Sequence, residues 1–262
     1  MPTILHELAA FAAERTANAK RKRPLNSIRS DAEALPKGDF RFEQALKTDD
    51  IAFICECKKA SPSKGLIAPD FPYLQIAKDY EAAGADCISV LTEPRWFLGS
   101  DRYLDEIAHS VRIPCLRKDF TVDPYMIYEA KLLGASAVLL ICAILDKSQL
   151  SEYYNITESL GLSALVEAHD EAEIETAAAI GAKIIGVNNR NLKDFSVDPN
   201  HARQLRQYAP EDTLFVAESG MRTPADIQAA RDARADAVLI GETLMRAHDK
   251  AAMLQYLKGT NV

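Results

Sequence analysis

No apolar run in the chain approaches the roughly 20 residues that a membrane-spanning helix needs, so no membrane partner is expected. There is no CxxC pair and no cysteine–histidine spacing of a zinc site. The five cysteines (Cys55, Cys57, Cys87, Cys115 and Cys142) lie inside apolar, strand-like segments. They read as reduced core residues, consistent with a cytoplasmic protein, and no metal is expected. No GxG occurs, which argues against a dinucleotide fold, and there is no phosphate-binding P-loop. Positive charge is not in excess: 31 Lys and Arg stand against 38 Asp and Glu, a net charge of −7 that argues against nucleic acid as partner. The one basic cluster, Lys20-Arg21-Lys22-Arg23, reads as a solvated helix end, where cations suit the helix dipole. The first 20 residues lack the basic start, apolar run and cleavage site of a secretory signal, and read as an amphipathic helix.

What remains is a 48% hydrophobic, 26% charged chain, able to bury a large core. It carries a degenerate repeat. EAAGADCISVLTE (81–93), KLLGASAVLLICA (131–143), AAIGAKIIGVNNR (178–190) and ARDARADAVLIGE (230–242) each end a helix, pass a Gly-Ala or Arg-Ala link and enter an apolar run. Such runs suit parallel strands buried on both faces. Eight strands are predicted, at 51–57, 86–92, 113–118, 136–142, 162–167, 183–188, 214–219 and 235–240. Helical patterns such as PDFPYLQIAKDYEAAG, VDPYMIYEAKLLG, SQLSEYYNITESLG and HDEAEIETAAAIG lie between them. Eight β/α units predict a single α/β barrel, (β/α)8, over residues 49–262. Residues 1–48 form a helical extension that either caps the barrel bottom or lies over the active site.

Catalytic groups of such a barrel sit at the C-terminal ends of its strands. The first strand ends in Glu56-Cys57-Lys58, and alternation puts Glu56 and Lys58 on one face with both cysteines on the other. The second ends in Thr92 and Glu93, the latter read as a rim charge. The third ends in Lys118, and the fourth is apolar around Leu139 and Ile141. The fifth gives Glu167, the sixth Asn188 and Arg190, the seventh Glu218-Ser219-Gly220 and the eighth Gly241. Two lysines, an arginine and several carboxylates therefore converge, which is costly without a functional return. Asn188 is also able simply to cap a turn. The histidines (6, 109, 169, 201, 248) fall on helices or loops, so acid–base chemistry must rest on Lys and Glu. Glycines after the seventh and eighth strands, with Lys58 as counter-charge, suggest a grip on a phosphorylated small molecule.

The segments ECKKASPSKG (56–65), LTEPRWFLGS (91–100), RKDF (117–120), LVEAHD (165–170), IGVNNRNL (185–192), VAESG (216–220) and LIGETLMR (239–246) together resemble the indole-3-glycerol phosphate synthase family. The likeness runs from about residue 51 to 246, and its most specific part is the ExKxxSPS signature. It implies ring closure of 1-(2-carboxyphenylamino)-1-deoxyribulose 5-phosphate with loss of carbon dioxide and water, in tryptophan biosynthesis, without a cofactor. It implies Lys118 as general acid, Glu167 and Lys58 in the dehydration, and Glu56 orienting the lysines. Ser61, Asn188 and Arg190 would position the substrate. Ser219, Gly220, Gly241 and the backbone of Glu242 would hold the phosphate, with the Glu242 side chain turned away. Phe97, Phe120, Leu139 and Trp96 are candidates for the wall against the aryl ring. A phosphoribosyl-type isomerase on the same barrel and a non-catalytic phosphate-binding barrel are the alternatives; a monomer is favoured.

Overall fold

The computed structural model describes residues 3–191 and 195–259. Eight parallel strands close into a barrel in which chain neighbours are also sheet neighbours. They are β1 (Ala52–Cys57), β2 (Cys87–Leu91), β3 (Cys115–Lys118), β4 (Ala137–Ile141), β5 (Ser163–Ala168), β6 (Ile184–Asn188), β7 (Leu214–Glu218) and β8 (Ala237–Ile240), with β1 pairing both β2 and β8. Each predicted strand is present within two residues at either end. The fourth stops one residue early because Cys142 opens a single 3-10 turn, Cys142–Ile144, and is only partly buried. The four helical patterns appear as Tyr73–Ala82, Pro124–Leu132, Lys147–Ser159 and Glu171–Ala179.

The alternation of side chains along each strand builds two cores. Outward residues such as Cys55, Cys57, Val90, Val166 and Phe215 pack under the helices. Inward residues fill the barrel axis: Ala52, Ile54, Cys87, Leu116, Ala137, Leu139, Leu165, Ile184, Val216 and Leu239. Above this apolar plug, the next inward positions are polar: Glu56, Ser89, Lys118, Glu167, Asn188 and Glu218. The ladder puts Glu56 level with Ser89, and Asn188 level with Glu218.

The repeat has a backbone cause. Gly84, Gly134 and Gly181 end their helices with φ between 77 and 83°. The fourth copy places Arg234 there, at φ 56°, a left-handed conformation that a side chain opposes by about 1–2 kcal/mol.

Both roles considered for the N-terminal segment are filled, by different helices. Helix α1 (Ile4–Lys22) lays Ile4, Leu5 and Leu8 over the mouth of the barrel. Helix α2 (Leu25–Ala34) follows and buries Ile28 and Ala32 in the outer core. Helix α3 (Arg41–Leu46) closes the bottom: its Phe42 and Leu46 join the inward core, and the Glu43 N–H donates to Ser163 Oγ at the start of β5. The basic cluster ends α1 as expected, with Lys20 paired to Asp123 at 2.5 Å.

Candidate active site

A cleft of about 460 Å³ opens at the C-terminal ends of the strands, well within the usual range for small-molecule sites. Of the residues given a site role by sequence, all but Trp96 border it: Glu56, Lys58, Ser61, Phe97, Lys118, Phe120, Leu139, Glu167, Asn188, Arg190, Ser219, Gly220, Gly241 and Glu242.

Its floor is a lysine–carboxylate network. Lys58 Nζ donates to Glu56 Oε1 at 2.6 Å, and Ser89 Oγ donates to the other Glu56 oxygen at 3.3 Å. Lys118 Nζ lies 2.7 Å from Glu218 Oε2 and 3.7 Å from Glu167 Oε2. Burial opposes the charge on Lys118, but the three carboxylates around it outweigh burial and hold its pKa above the ordinary lysine range. Burial likewise pushes Glu56 up, and Lys58, Lys118 and Ser89 more than reverse it, leaving a firm carboxylate. Glu218 goes the other way. Burial, with repulsion from Glu167 and Glu56, exceeds the pull of Lys118 and raises it to about 7. Its second oxygen, Oε1, is buried without a hydrogen-bond partner.

Two glycines make room for these groups. A side-chain carbon on Gly186 would lie 2.3 Å from Glu218 Oε1, and one on Gly241 would lie 2.3 Å from Glu56 Oε1 and 2.7 Å from Lys58 Nζ. At the end of β7, Ser219 and Gly220 both adopt left-handed φ, 66° and 87°. For serine this is strain, of the kind found at ligand-binding turns.

The loops are braced from beneath. Glu93 is not the rim charge that its position suggested. It is wholly buried and accepts N–H bonds from Arg95, Trp96 and Phe97, shaping the loop that turns Phe97 into the cleft. Trp96, the other candidate for the aryl wall, does not border the cleft; it packs edge-on against Phe11 of α1, centroids 5.6 Å apart. Asn188 both borders the cleft and caps a turn, accepting from the Arg190 N–H at 3.0 Å. Arg190 donates to the Phe195 carbonyl and approaches Glu242 at 3.6 Å. Leu192, the last residue of the IGVNNRNL motif, lies outside the described residues. The SPS turn after β1 is a small hairpin pairing Ala60–Ser61 with Gly65–Leu66. The ring of His169 stands against His201, away from the cleft.

Among the described residues, no group of three or more His, Cys, Asp or Glu is placed to hold a metal ion, and no helix is long and apolar enough to cross a membrane. The family model for indole-3-glycerol phosphate synthase matches residues 5–257. The chain belongs to this family. An indole-3-glycerol phosphate synthase of Ruminiclostridium cellulolyticum is 56% identical over 258 residues, covering 98% of this chain and 99% of its own. Those of Endomicrobium trichonymphae and Lacticaseibacillus paracasei are 50% and 49% identical over 256 residues each, with 97% of this chain and at least 98% of theirs covered. Among solved structures, 3-hexulose-6-phosphate synthase superposes with a TM-score of 0.66 at 15% identity, over 81% of this chain and all of that one. At that identity it speaks for the barrel alone.

Within this synthase-family barrel, sequence reasoning left out four residues in or around the site. Glu218 was visible as a strand end but was not assigned a role, because the Ser219-Gly220 turn beside it drew attention to phosphate. Arg117 and Asp119 flank Lys118 and are both buried. Arg117 points outward and forks to Asp101 and Glu129 at 2.6 and 2.7 Å. Asp119 accepts from Thr92 Oγ1 at 2.6 Å and from Arg15 of α1 at 2.7 Å, tying the mouth helix to the strand end that carries Lys118. Asn189, also buried, donates to the Ser219 carbonyl and so joins the loops after β6 and β7.

Proposed function

We propose that this protein is an indole-3-glycerol phosphate synthase: a carboxy-lyase that closes the indole ring of 1-(2-carboxyphenylamino)-1-deoxyribulose 5-phosphate in tryptophan biosynthesis. The observation that carries the reading is Lys118, a mostly buried ammonium held between Glu218 and Glu167 in a cleft with an apolar wall. The ring carbon bearing the carboxylate attacks the ribulose carbonyl, and a new carbon–carbon bond forms as the carbonyl π pair moves to oxygen. Lys118 donates the proton that this oxygen takes up. The carboxylates keep Lys118 charged until an alkoxide, a stronger base, develops beside it. Carbon dioxide then leaves, and its bonding pair restores the aromatic ring. The hydroxyl departs as water, with one proton supplied and one removed, and Glu167 and Lys58 share those two transfers. No electrons leave the substrate and no redox cofactor enters the balance.

Glu56 positions Lys58, and its charge stabilises the cationic ring intermediate. Phe97, Phe120 and Leu139 form the slot for the aryl ring, while Ser61, Asn188 and Arg190 orient carboxylate and hydroxyls. Ser219, Gly220, Gly241 and the Glu242 N–H, with Lys58, receive the phosphate. Residues 1–48 serve the barrel of residues 49–262 as an extension, since Ile4, Leu5 and Leu8 border the cleft. A cytoplasmic location fits the free, mostly buried cysteines, and the protein is proposed to act as a monomer. An isomerase using an inward cysteine of β1 is disfavoured, because Cys55 and Cys57 pack outward. The test is direct: purified protein mixed with the carboxyphenylamino substrate should generate indole fluorescence with repeated turnover. A folded protein that gives none refutes the reading.

A further inference from the structure

The Glu242 carboxylate is an anion in a place where an anionic ligand is expected. It borders the cleft beside Gly241, yet it does not turn into bulk solvent. It pairs with Arg246 at 3.0 Å on its own short helix, with Arg190 at 3.6 Å on the loop after β6 and with Lys64 at 3.9 Å on the hairpin after β1. One carboxylate thus gathers a cation from its own helix and one from each of two other segments of the mouth. Two of those contacts are longer than hydrogen bonds, so they are attraction without a fixed geometry and are readily exchanged. Lys64 and Arg246 are 40% and 50% exposed and able to swing. Arg190, at 18%, is held near the cleft by its bond to the Phe195 carbonyl.

We infer that the Glu242 side chain is an internal counter-anion that sets how tightly this site holds phosphate. In the empty site it stands in for the ligand, keeping Arg190, Lys64 and Arg246 close to the mouth. When a phosphate dianion enters, those cations are shared between it and Glu242, and the two anions repel across the pocket. The ligand is therefore bound less tightly than the cations alone would allow. A synthase gains from this at the end of its cycle, because substrate and product carry the same phosphate and a grip too strong would retain the product. The inference rests on the synthase reading for its consequence in turnover, but the anion balance itself does not.

The experiment uses inorganic phosphate as probe, with calorimetric titration of the whole protein and of Glu242→Gln, at constant ionic strength. A unit charge acting on the ligand across several ångströms of partly hydrated pocket corresponds to roughly a three- to tenfold change in affinity. Glu242→Gln should bind phosphate tighter by about that factor, and the gain should shrink as salt is raised. With the carboxyphenylamino substrate, KM should fall in parallel, and kcat should not rise. Unchanged or weaker phosphate binding overturns the inference; weaker binding would mean that gathering the cations matters more than the repulsion. Glu242→Ala removes the same charge and keeps the test available if the amide disturbs the helix. Failure of the synthase reading looks different: no indole product from the wild-type protein, whatever the phosphate affinities.

Discussion

Replacing Glu218 by glutamine should change how stability depends on pH. Glu218 is 1% exposed, one of its oxygens has no partner, and its pKa rises from the ordinary 4.5 to about 7. A carboxyl whose folded pKa lies above its unfolded value binds more protons in the folded state between the two. Stability therefore falls as pH climbs through that window. A displacement of this size is worth about 3 kcal/mol, fully lost once pH passes 7. Glu56 does not blur the window, since its pKa is lowered and its contribution is lost only in more acidic solution. The amide of the variant leaves an unsatisfied group of its own, which shifts the whole curve but not its slope. Urea unfolding of both proteins from pH 4.5 to 8 should show the wild type losing up to about 3 kcal/mol that Glu218→Gln does not. Parallel curves, or a wild type that gains on the variant as pH rises, would refute the reasoning, because Lys118 would then be holding Glu218 fully ionised. The physical point is that a buried acid beside two others weakens the fold and is kept where it serves chemistry.

Two further outcomes follow from the same geometry. Gly241→Ala should leave the protein folded, with an unchanged melting temperature to within a few degrees, because the atoms in its way are the ends of two side chains. It should lower kcat by roughly tenfold to a hundredfold by displacing the Glu56–Lys58 pair, and steady-state kinetics beside a melting curve checks both halves. Arg15→Met should remove the 2.7 Å bond between α1 and buried Asp119. The cost should be about 2 kcal/mol, below that of a fully buried pair because Arg15 is 20% exposed, with KM raised more than kcat is lowered as α1 loosens over the cleft.

The parts of the site legible in sequence are those governed by short-range rules. Alternation along β1 was enough to put Glu56 and Lys58 inward together, and four repeats of the helix–link–strand grammar, with four more apolar runs between helical patterns, were enough to place eight strand ends in one mouth. Arg234 shows how robust that grammar is, since the backbone takes the same left-handed turn there without a glycine. What could not be read depends on distance in the chain. Arg15 meets Asp119 across 104 residues, and nothing local to α1 distinguishes a lid from a floor. Glu93 misled because a charge just past a strand end usually meets water, whereas here three loop N–H groups converge on it. Glu218 was overlooked because its significance lies in its neighbours, Lys118 and Glu167, each on another strand.

The central claim is that Lys118, held charged by Glu218, Glu167 and Glu56, donates the proton on which ring closure depends. Its most direct test is kcat for Lys118→Ala with the carboxyphenylamino substrate, measured on protein shown to be folded by its melting transition. A fall of roughly 10² to 10⁴, the usual worth of a general acid, is the expected result. Turnover near that of the wild type would contradict the claim.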